Sequence, residues 1–204
     1  MGDYPIDLAD SLGERLARAL DAEGKIPRAL GALGALEGRD VVLLDGGAGV
    51  RVRQLTELGA RVISADGKGR LATLPASSAD AVISWWSAFR GLDPDEVAAA
   101  ERVLRPGGHL LIVHDYGRDD VSRLRGDLPE YGLWSRRDGP YLRGGFRIRV
   151  LHCWWTFDSL EDARDFLAGA FGATGEEVAA GMRRPRLSYN VAVYHRVRAA
   201  AISG

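Results

Sequence analysis

Five consecutive residues, Asp45-Gly46-Gly47-Ala48-Gly49, and an acid 19 positions after Gly47, Asp66, form the strongest chemical pattern in this chain of 204 residues. The glycine turn follows the apolar run Val41-Val42-Leu43-Leu44. It precedes a helical pattern carried by Val50, Leu55 and Leu58 that stops at Gly59. Glycines at such a junction let a ligand approach the backbone, and the first turn of the helix leaves N–H groups unpaired. Asp66 closes the next strand, 61–66, where a carboxylate can accept hydrogen bonds from ribose hydroxyls. The order strand, turn, helix, strand and acid therefore points to a nucleotide-like ligand. The plainer alternative is a glycine turn that only packs a helix onto a strand. Val52 stands where a dinucleotide-binding turn has its third glycine, which argues against NAD or FAD.

A second group, His114-Asp115-Tyr116, ends the strand 109–114 at the same edge. His114 is the candidate general base, with Asp115 to orient it. Alternatively, His114 is a packed strand residue and Asp115 a turn former. His109 follows a Gly-Gly pair and reads as surface. His152, Cys153, Trp154, Trp155 and His195 read as packing within strands. The segment 126–145 reads as a long loop with Tyr131, Trp134 and Tyr141 beside Arg125, Arg136, Arg137 and Arg143. It is either a lid over an anionic or aromatic substrate or a solvated loop. Arg183-Arg184-Pro185-Arg186 reads as a solvated turn, with Glu176 and Glu177 ahead of it. No metal site is expected: the chain has one cysteine, Cys153, and so neither a disulfide nor a zinc knuckle.

The elements that must position these residues follow from periodicity. Leu8, Leu12, Leu16 and Leu20 recur every fourth residue and predict a helix over 7–21; a second follows at 26–36, with Pro27 in its first turn. Strands are expected at 41–44, 61–66, 79–84, 109–114, 146–157 and 187–197. Helices are expected at 93–104, capped by Asp93 with Pro94 next, and at 160–170, capped by Ser159, with a short one at 119–125. Alternation of this kind gives an α/β fold with a doubly wound, mostly parallel sheet. One domain over 1–204 is expected, with a helical lead-in (1–38), a cofactor-binding half (39–115) and a substrate-side half (116–204). Hydrophobic residues make up 46% and charged residues 27%, and the net charge is −1. That balance gives no pull toward nucleic acid or anionic lipid. All 27 basic residues except Lys25 and Lys68 are arginine, a bias read as codon composition. No secretory signal and no run of 18 apolar residues is read, so the expected compartment is the cytoplasm, away from any membrane.

Four segments resemble the class I S-adenosylmethionine-dependent methyltransferases, in the branch that acts on small molecules. They are Val42 to Gly49; Val62 to Asp66; Leu74-Pro75 through Ala79 to Ser84; and Ala99 through Arg102-Val103-Leu104-Arg105-Pro106-Gly107-Gly108 to Ile112. The resemblance is good over 40–115 and looser elsewhere. It implies a Rossmann-like methyltransferase fold, S-adenosylmethionine as cofactor and a small molecule as methyl acceptor. It also implies a site in which Asp45, Gly47 and Gly49, with Gly46 and Ala48 between them, line the methionine and ribose. Asp66 would hold the ribose hydroxyls, and Ser84 and Trp85 would border the sulfonium.

One departure stands out. Only 13 residues separate Asp66 from Asp80, too few for the helix, strand and return that the family fits there. One helix and one strand are therefore expected to be missing, leaving strand 61–66 as a sheet edge. The adenine side then lacks a wall, so cofactor affinity is low or another chain supplies the wall. Edge pairing in a homodimer is one outcome; coverage by Arg61 and loop 67–73 is the other. Trp85 and Trp86 either wall a substrate pocket or fill the vacated space. A catalytically inactive domain of the same fold, acting in binding or scaffolding, is the rival to the enzyme.

Overall fold

The structure, a computed structural model, describes residues 5–6, 8–46, 49–66 and 69–199. Helices α1 (Asp10–Ala19) and α2 (Lys25–Gly34) lead into β1 (Asp40–Leu44), α3 (Val50–Glu57) and β2 (Arg61–Ala65). Then come α4 (Arg70–Thr73), β3 (Ala79–Trp85), α5 (Pro94–Val103) and β4 (Leu104–Asp115). The remainder is α6 (Asp120–Leu124), α7 (Pro129–Trp134), α8 (Pro140–Arg143), β5 (Arg147–Thr156), α9 (Leu160–Gly181) and β6 (Arg186–Val197). Six strands form one sheet in the order β2-β1-β3-β4-β6-β5. The first four run parallel, while β6 is antiparallel to both β4 and β5. This is a doubly wound, mostly parallel α/β sheet preceded by two helices.

Alternation along the strands fills two cores. Val41, Leu43, Ala81, Ile83, Leu111, Val113, Val191 and Val193 face α1, α2, α3, α6 and α9. Val42, Leu44, Val82, Leu110, Ile112, Ala192 and Tyr194 face α4, α5, α7 and α8. β1 is buried on both faces, as an unbroken apolar run requires. The caps are those expected for α5 and α9: Asp93 accepts from the Asp95 N–H, and Ser159 from that of Asp162.

The segment between β2 and β3 holds only α4, four residues long, and β2 is the sheet edge. Arg102 of α5 holds α4 in place: its guanidinium donates to the carbonyls of Leu71 (2.5 Å) and Leu74 (2.8 Å), groups that a helix end leaves without partners. Ile63, on the edge strand, is 55% exposed. Arg61 is pinned across the strand by Asp40 at 2.7 Å, and the 67–68 part of the covering loop lies outside the described residues.

Three expectations need correction. The segment 126–145 is not an open loop: it carries α7 and α8, and Trp134 and Tyr141 are buried in the second core. Pro129 and Pro140 at first helical positions start both turns. The helix at 160 breaks at Gly172, two residues past its expected end, where φ is +56° and ψ −136°; what needs adding is the second helical stretch that follows the break, to Gly181. The strand written as 109–114 begins at Leu104, with a register shift against β3 that takes up the Pro106-Gly107-Gly108 turn.

Candidate functional site

β1, β2 and β3 are parallel and end together, at Leu44, Ala65 and Trp85. At that end lies a cavity of about 920 Å³, within the roughly 300–1,000 Å³ typical of cofactor and small-molecule sites. Leu44 and Asp45 come from β1 and its turn, Ala65 from β2, and Gly69, Leu71 and Ala72 from α4 and its start. The consecutive residues Trp86 to Arg90 form one side, with Asp95, Glu96 and Ala99 of α5 beyond them. Pro5, Ile6 and Arg125 close the far end. The wall expected to be missing is thus partly replaced by Leu71 and Ala72 of α4.

The glycine turn sits at the cavity's rim. Asp45 leaves β1 with φ +50°, a left-handed conformation that aspartate tolerates. Its N–H donates to the Ala65 carbonyl at 3.1 Å, tying the turn to β2. A Cβ on Gly46 would come within 3.0 Å of Leu43 Cδ2 and Ser64 Oγ, so this glycine serves close packing. Gly49 is different: its φ is +80° and a Cβ there would meet nothing within 4 Å, so the backbone conformation alone requires glycine. Gly49 is the N-cap of α3 and, having no side chain, makes no cap bond of its own to the first-turn N–H groups. Gly47 and Ala48 lie outside the described residues. Asp66, exposed and one residue beyond Ala65, stands at the β2 end beside the cavity without being part of its lining.

Ser84 and Trp85 are wholly enclosed and do not line the cavity. The Ser84 hydroxyl meets Ser87 Oγ at 3.2 Å and accepts from the Ala88 N–H at 3.0 Å. Trp85 packs into the first core, while Trp86 both packs there and lines the cavity. The Arg51 guanidinium, on the first turn of α3, lies 5.1 Å from the Trp85 ring and 5.2 Å from the Trp86 ring. Both indoles face one arginine because Trp86 has φ +55°, which breaks strand alternation. The Trp86 indole N–H is buried and makes no hydrogen bond. Phe89 and Leu92 also have positive φ, +62° and +63°. Left-handed conformations at bulky residues cost of order 1–3 kcal/mol each and persist only where surrounding contacts impose them.

The structure does not bring His114 and Asp115 together. His114 is 1% exposed and lies outside the cavity lining. Its ring is 4.8 Å from Trp134, and its Nε2 donates to the Ala88 carbonyl at 3.2 Å. Burial first, and then nearby Arg90, lower its pKa to about 3, so the ring is neutral at ordinary pH. Asp115 instead pairs with Arg125 at 2.5 Å and accepts from the Tyr189 hydroxyl. Arg125 reaches on to the Pro5 carbonyl at 2.9 Å, so Asp115 acts on the cavity through an arginine of its wall. Alternation predicts opposite faces for 114 and 115 and was the available signal against the dyad.

The other histidines are also engaged. His109 is not a free surface residue: its Nδ1 meets His195 Nε2 at 2.8 Å across β4 and β6. His152 is exposed and bonded to Asn190 Oδ1 at 2.7 Å rather than packed. Cys153 and Trp155 are buried, and Arg186 stacks 4.2 Å from the half-buried Trp154. Among the described residues no group of three His, Cys, Asp or Glu side chains could hold a metal ion. No described helix is long and apolar enough to cross a membrane.

Comparison with solved structures decides the fold. A candidate type II methyltransferase from Anaeromyxobacter dehalogenans superposes with a TM-score of 0.54 at 20% identity, over 85% of this chain and 97% of its own. A candidate methyltransferase from an antibiotic biosynthesis pathway of Anabaena variabilis gives 0.55 at 14% identity, over 89% and 99%. An S-adenosylmethionine-dependent methyltransferase from Aquifex aeolicus gives 0.52 at 17% identity, over 93% and 98%. This chain has the class I methyltransferase fold. No protein-family model and no curated protein matches it in sequence.

Within a methyltransferase fold the residues around the cavity suit S-adenosylmethionine. Leu44, Ala65, Leu71, Ala72 and Phe89 offer apolar surface for a base. Asp45 and Asp66 supply acceptors. Of the cavity residues, sequence reading offered Trp86 as a pocket wall and Arg125 beside a lid, each as one of two outcomes, and missed Ser87 to Arg90 and Glu96. The signal for the first group was its place, directly after a strand that ends at the ligand edge.

Proposed function

We propose that this chain binds S-adenosylmethionine at the 45–49 turn and transfers its methyl group to a small-molecule acceptor. The observation that carries this reading is the cavity at the ends of β1–β3, lined by Leu44 and Asp45, where the glycine turn begins, and by Trp86 to Arg90. The half 39–115 would hold the cofactor and 116–204 would complete the acceptor side. Asp66 would accept from the ribose hydroxyls. Gly46 to Gly49 and the start of α3 would receive the methionine end, with the charge of Arg51 behind them complementing a carboxylate.

The cofactor, when bound, supplies a methyl group already activated on a sulfonium. What remains for the protein is to orient the acceptor in line and exclude water. Trp86 presents an aromatic face, which attracts a cation. An acceptor seated between Trp86–Arg90 and the bound cofactor would be shielded from solvent on those sides. His114, neutral and engaged with Ala88, is not needed as a base in this scheme: a methylated amine can lose its proton to solvent after transfer, and a thiolate acceptor has none to lose. We place the protein in the cytoplasm, acting without nucleic acid or membrane. Edge pairing of β2 in a homodimer is part of the same proposal.

Calorimetry with S-adenosylhomocysteine tests the reading. Binding in the micromolar range is expected, and Asp66→Ala should weaken it at least about tenfold, the loss of a charged hydrogen bond. An unchanged affinity would move the ribose site elsewhere. No binding at millimolar ligand would favour the second reading, a non-catalytic binding domain, which the truncated segment between β2 and β3 supports.

A further inference from the structure

The wall Trp86–Arg90 is held in a way that the cofactor reading does not explain. Two of its residues, Ala88 and Phe89, have both their N–H and their C=O groups engaged by side chains, which come from four different elements. Ser84 Oγ of β3 accepts from the Ala88 N–H at 3.0 Å, and Glu96 Oε2 of α5 accepts from the Phe89 N–H at 2.7 Å. His114 Nε2 of β4 donates to the Ala88 carbonyl at 3.2 Å, and Tyr141 Oη of α8 donates to the Phe89 carbonyl at 2.6 Å. The backbone between these four contacts is left-handed at Trp86 and Phe89. Two backbone bonds, from the Trp86 N–H to the Val113 carbonyl (2.9 Å) and from the Leu92 N–H to the Phe89 carbonyl (3.1 Å), hold its ends, and these four side chains hold its middle.

The two donors come from beneath the wall and share an aromatic bed. Trp134 lies 4.8 Å from the His114 ring and 6.2 Å from the Tyr141 ring, and Tyr141 stacks on Tyr194 at 3.7 Å. Arg90, the last wall residue, rests its guanidinium 5.2 Å from the Trp134 ring and pairs with Glu130 at 2.8 Å. Along β4 the residues on this face run Leu110, Ile112, His114: hydrocarbon gives way to a hydrogen-bond donor at the level of the cavity. A carbonyl partner requires the proton to be on Nε2, and the neutral ring keeps it there.

We propose that His114 and Tyr141 are positioning residues that hold the cavity wall Trp86–Arg90 in its left-handed conformation through the carbonyls of Ala88 and Phe89. The segment 126–145 is thereby a platform below the site, not a lid above it. The functional weight of the proposal rests on the cavity being the binding site; its structural part does not.

The test compares full-length wild type with His114→Phe, Tyr141→Phe and His114→Gln. The first two remove a donor, Tyr141→Phe at unchanged ring size and His114→Phe with a larger ring, while glutamine keeps an N–H at the reach of Nε2. Amide exchange of the 86–92 segment, followed by mass spectrometry on ligand-free protein, should quicken about tenfold in both phenylalanine variants. Exchange of 41–44 and 110–113 should stay at the wild-type rate, and His114→Gln should recover most of the protection. S-Adenosylhomocysteine affinity should fall in the same order. Unchanged exchange over 86–92 in Tyr141→Phe would overturn the proposal, as would a His114→Gln variant as fast as His114→Phe. Tyr141→Phe loses only a hydroxyl, so it carries the test if the His114 variants fold poorly. Because the exchange is read without ligand, absence of binding in the wild type would refute the cofactor reading and leave this one standing.

Discussion

His114 shows how position and role separate at the scale of one residue. Its place at the ligand edge of β4 was readable from the order of elements. Its orientation was not, because that depends on Trp134, Tyr141 and Ala88, which come from distant parts of the chain. The same holds for Trp85 and Trp86: an alternating strand would put them on opposite faces, and only the positive φ of Trp86 turns both toward Arg51. Burial of a neutral His114 has a measurable cost in acid. Once unfolded, its ring takes a proton near pH 6.5, whereas in the folded chain it does so only near pH 3. The unfolded state therefore binds more protons between these values, and stability falls as pH drops through that window. Between pH 7 and pH 5 the loss from His114 alone is about 2 kcal/mol. His109 and His195, also lowered by burial, act with the same sign. Denaturant unfolding of wild type and His114→Gln at the two pH values isolates the term: the wild type should lose about 2 kcal/mol more than the variant. Equal losses would show that His114 is protonated in the fold.

At the scale of elements, periodic and capped segments were legible and irregular ones were not. α1, α2, α5 and the strands β1 to β3 follow from leucine spacing, Asp93-Pro94 and unbroken apolar runs. α7 and α8 are too short for a helical period to register, and Gly, Pro and Arg mask their two proline starts. The first part of α9 was legible from its Ser159 cap and ends, as expected, close to 170; the helical stretch after it was not. Gly172 makes the turn between the two: its φ of +56° with ψ of −136° is open essentially to glycine alone. A Cβ at 172 would meet nothing within 4 Å, so the cost of a side chain there is purely one of backbone. Gly172→Ala should therefore destabilise the protein by about 1–3 kcal/mol, read as a lowered midpoint in urea without a change in slope. Gly181→Ala, at the end of α9 and equally open, is the control and should change little. If both behave alike, the kink is not constrained by residue 172. The glycine turn was the most legible part of the site, since its chemistry lies in consecutive residues. The opposite wall was the least, since four elements shape it.

The whole molecule ends its sheet early. β2 lies at one edge with the N–H and C=O groups of Val62 and Ser64 directed away from β1, as the pairing of Arg61 and Ala65 requires. Ile63 is exposed on the same strand. If edge pairing joins two copies, Ile63→Lys should convert a dimer to a monomer in sedimentation while leaving the fold unchanged by circular dichroism. A wild type that sediments as a monomer at all concentrations would remove edge pairing from the proposal. The other end of the sheet carries a different consequence. β6 is the last strand in the chain, yet it lies between β4 and β5. A nascent polypeptide that has emerged only as far as α9 therefore has β4 open along one side and β5 with no sheet neighbour. Arg147, Arg149 and His152, exposed along β5, are what keep that waiting strand from joining another chain. The sheet cannot be completed before β6 is present, so a chain cut before Arg186 should be more readily digested by protease than the whole one.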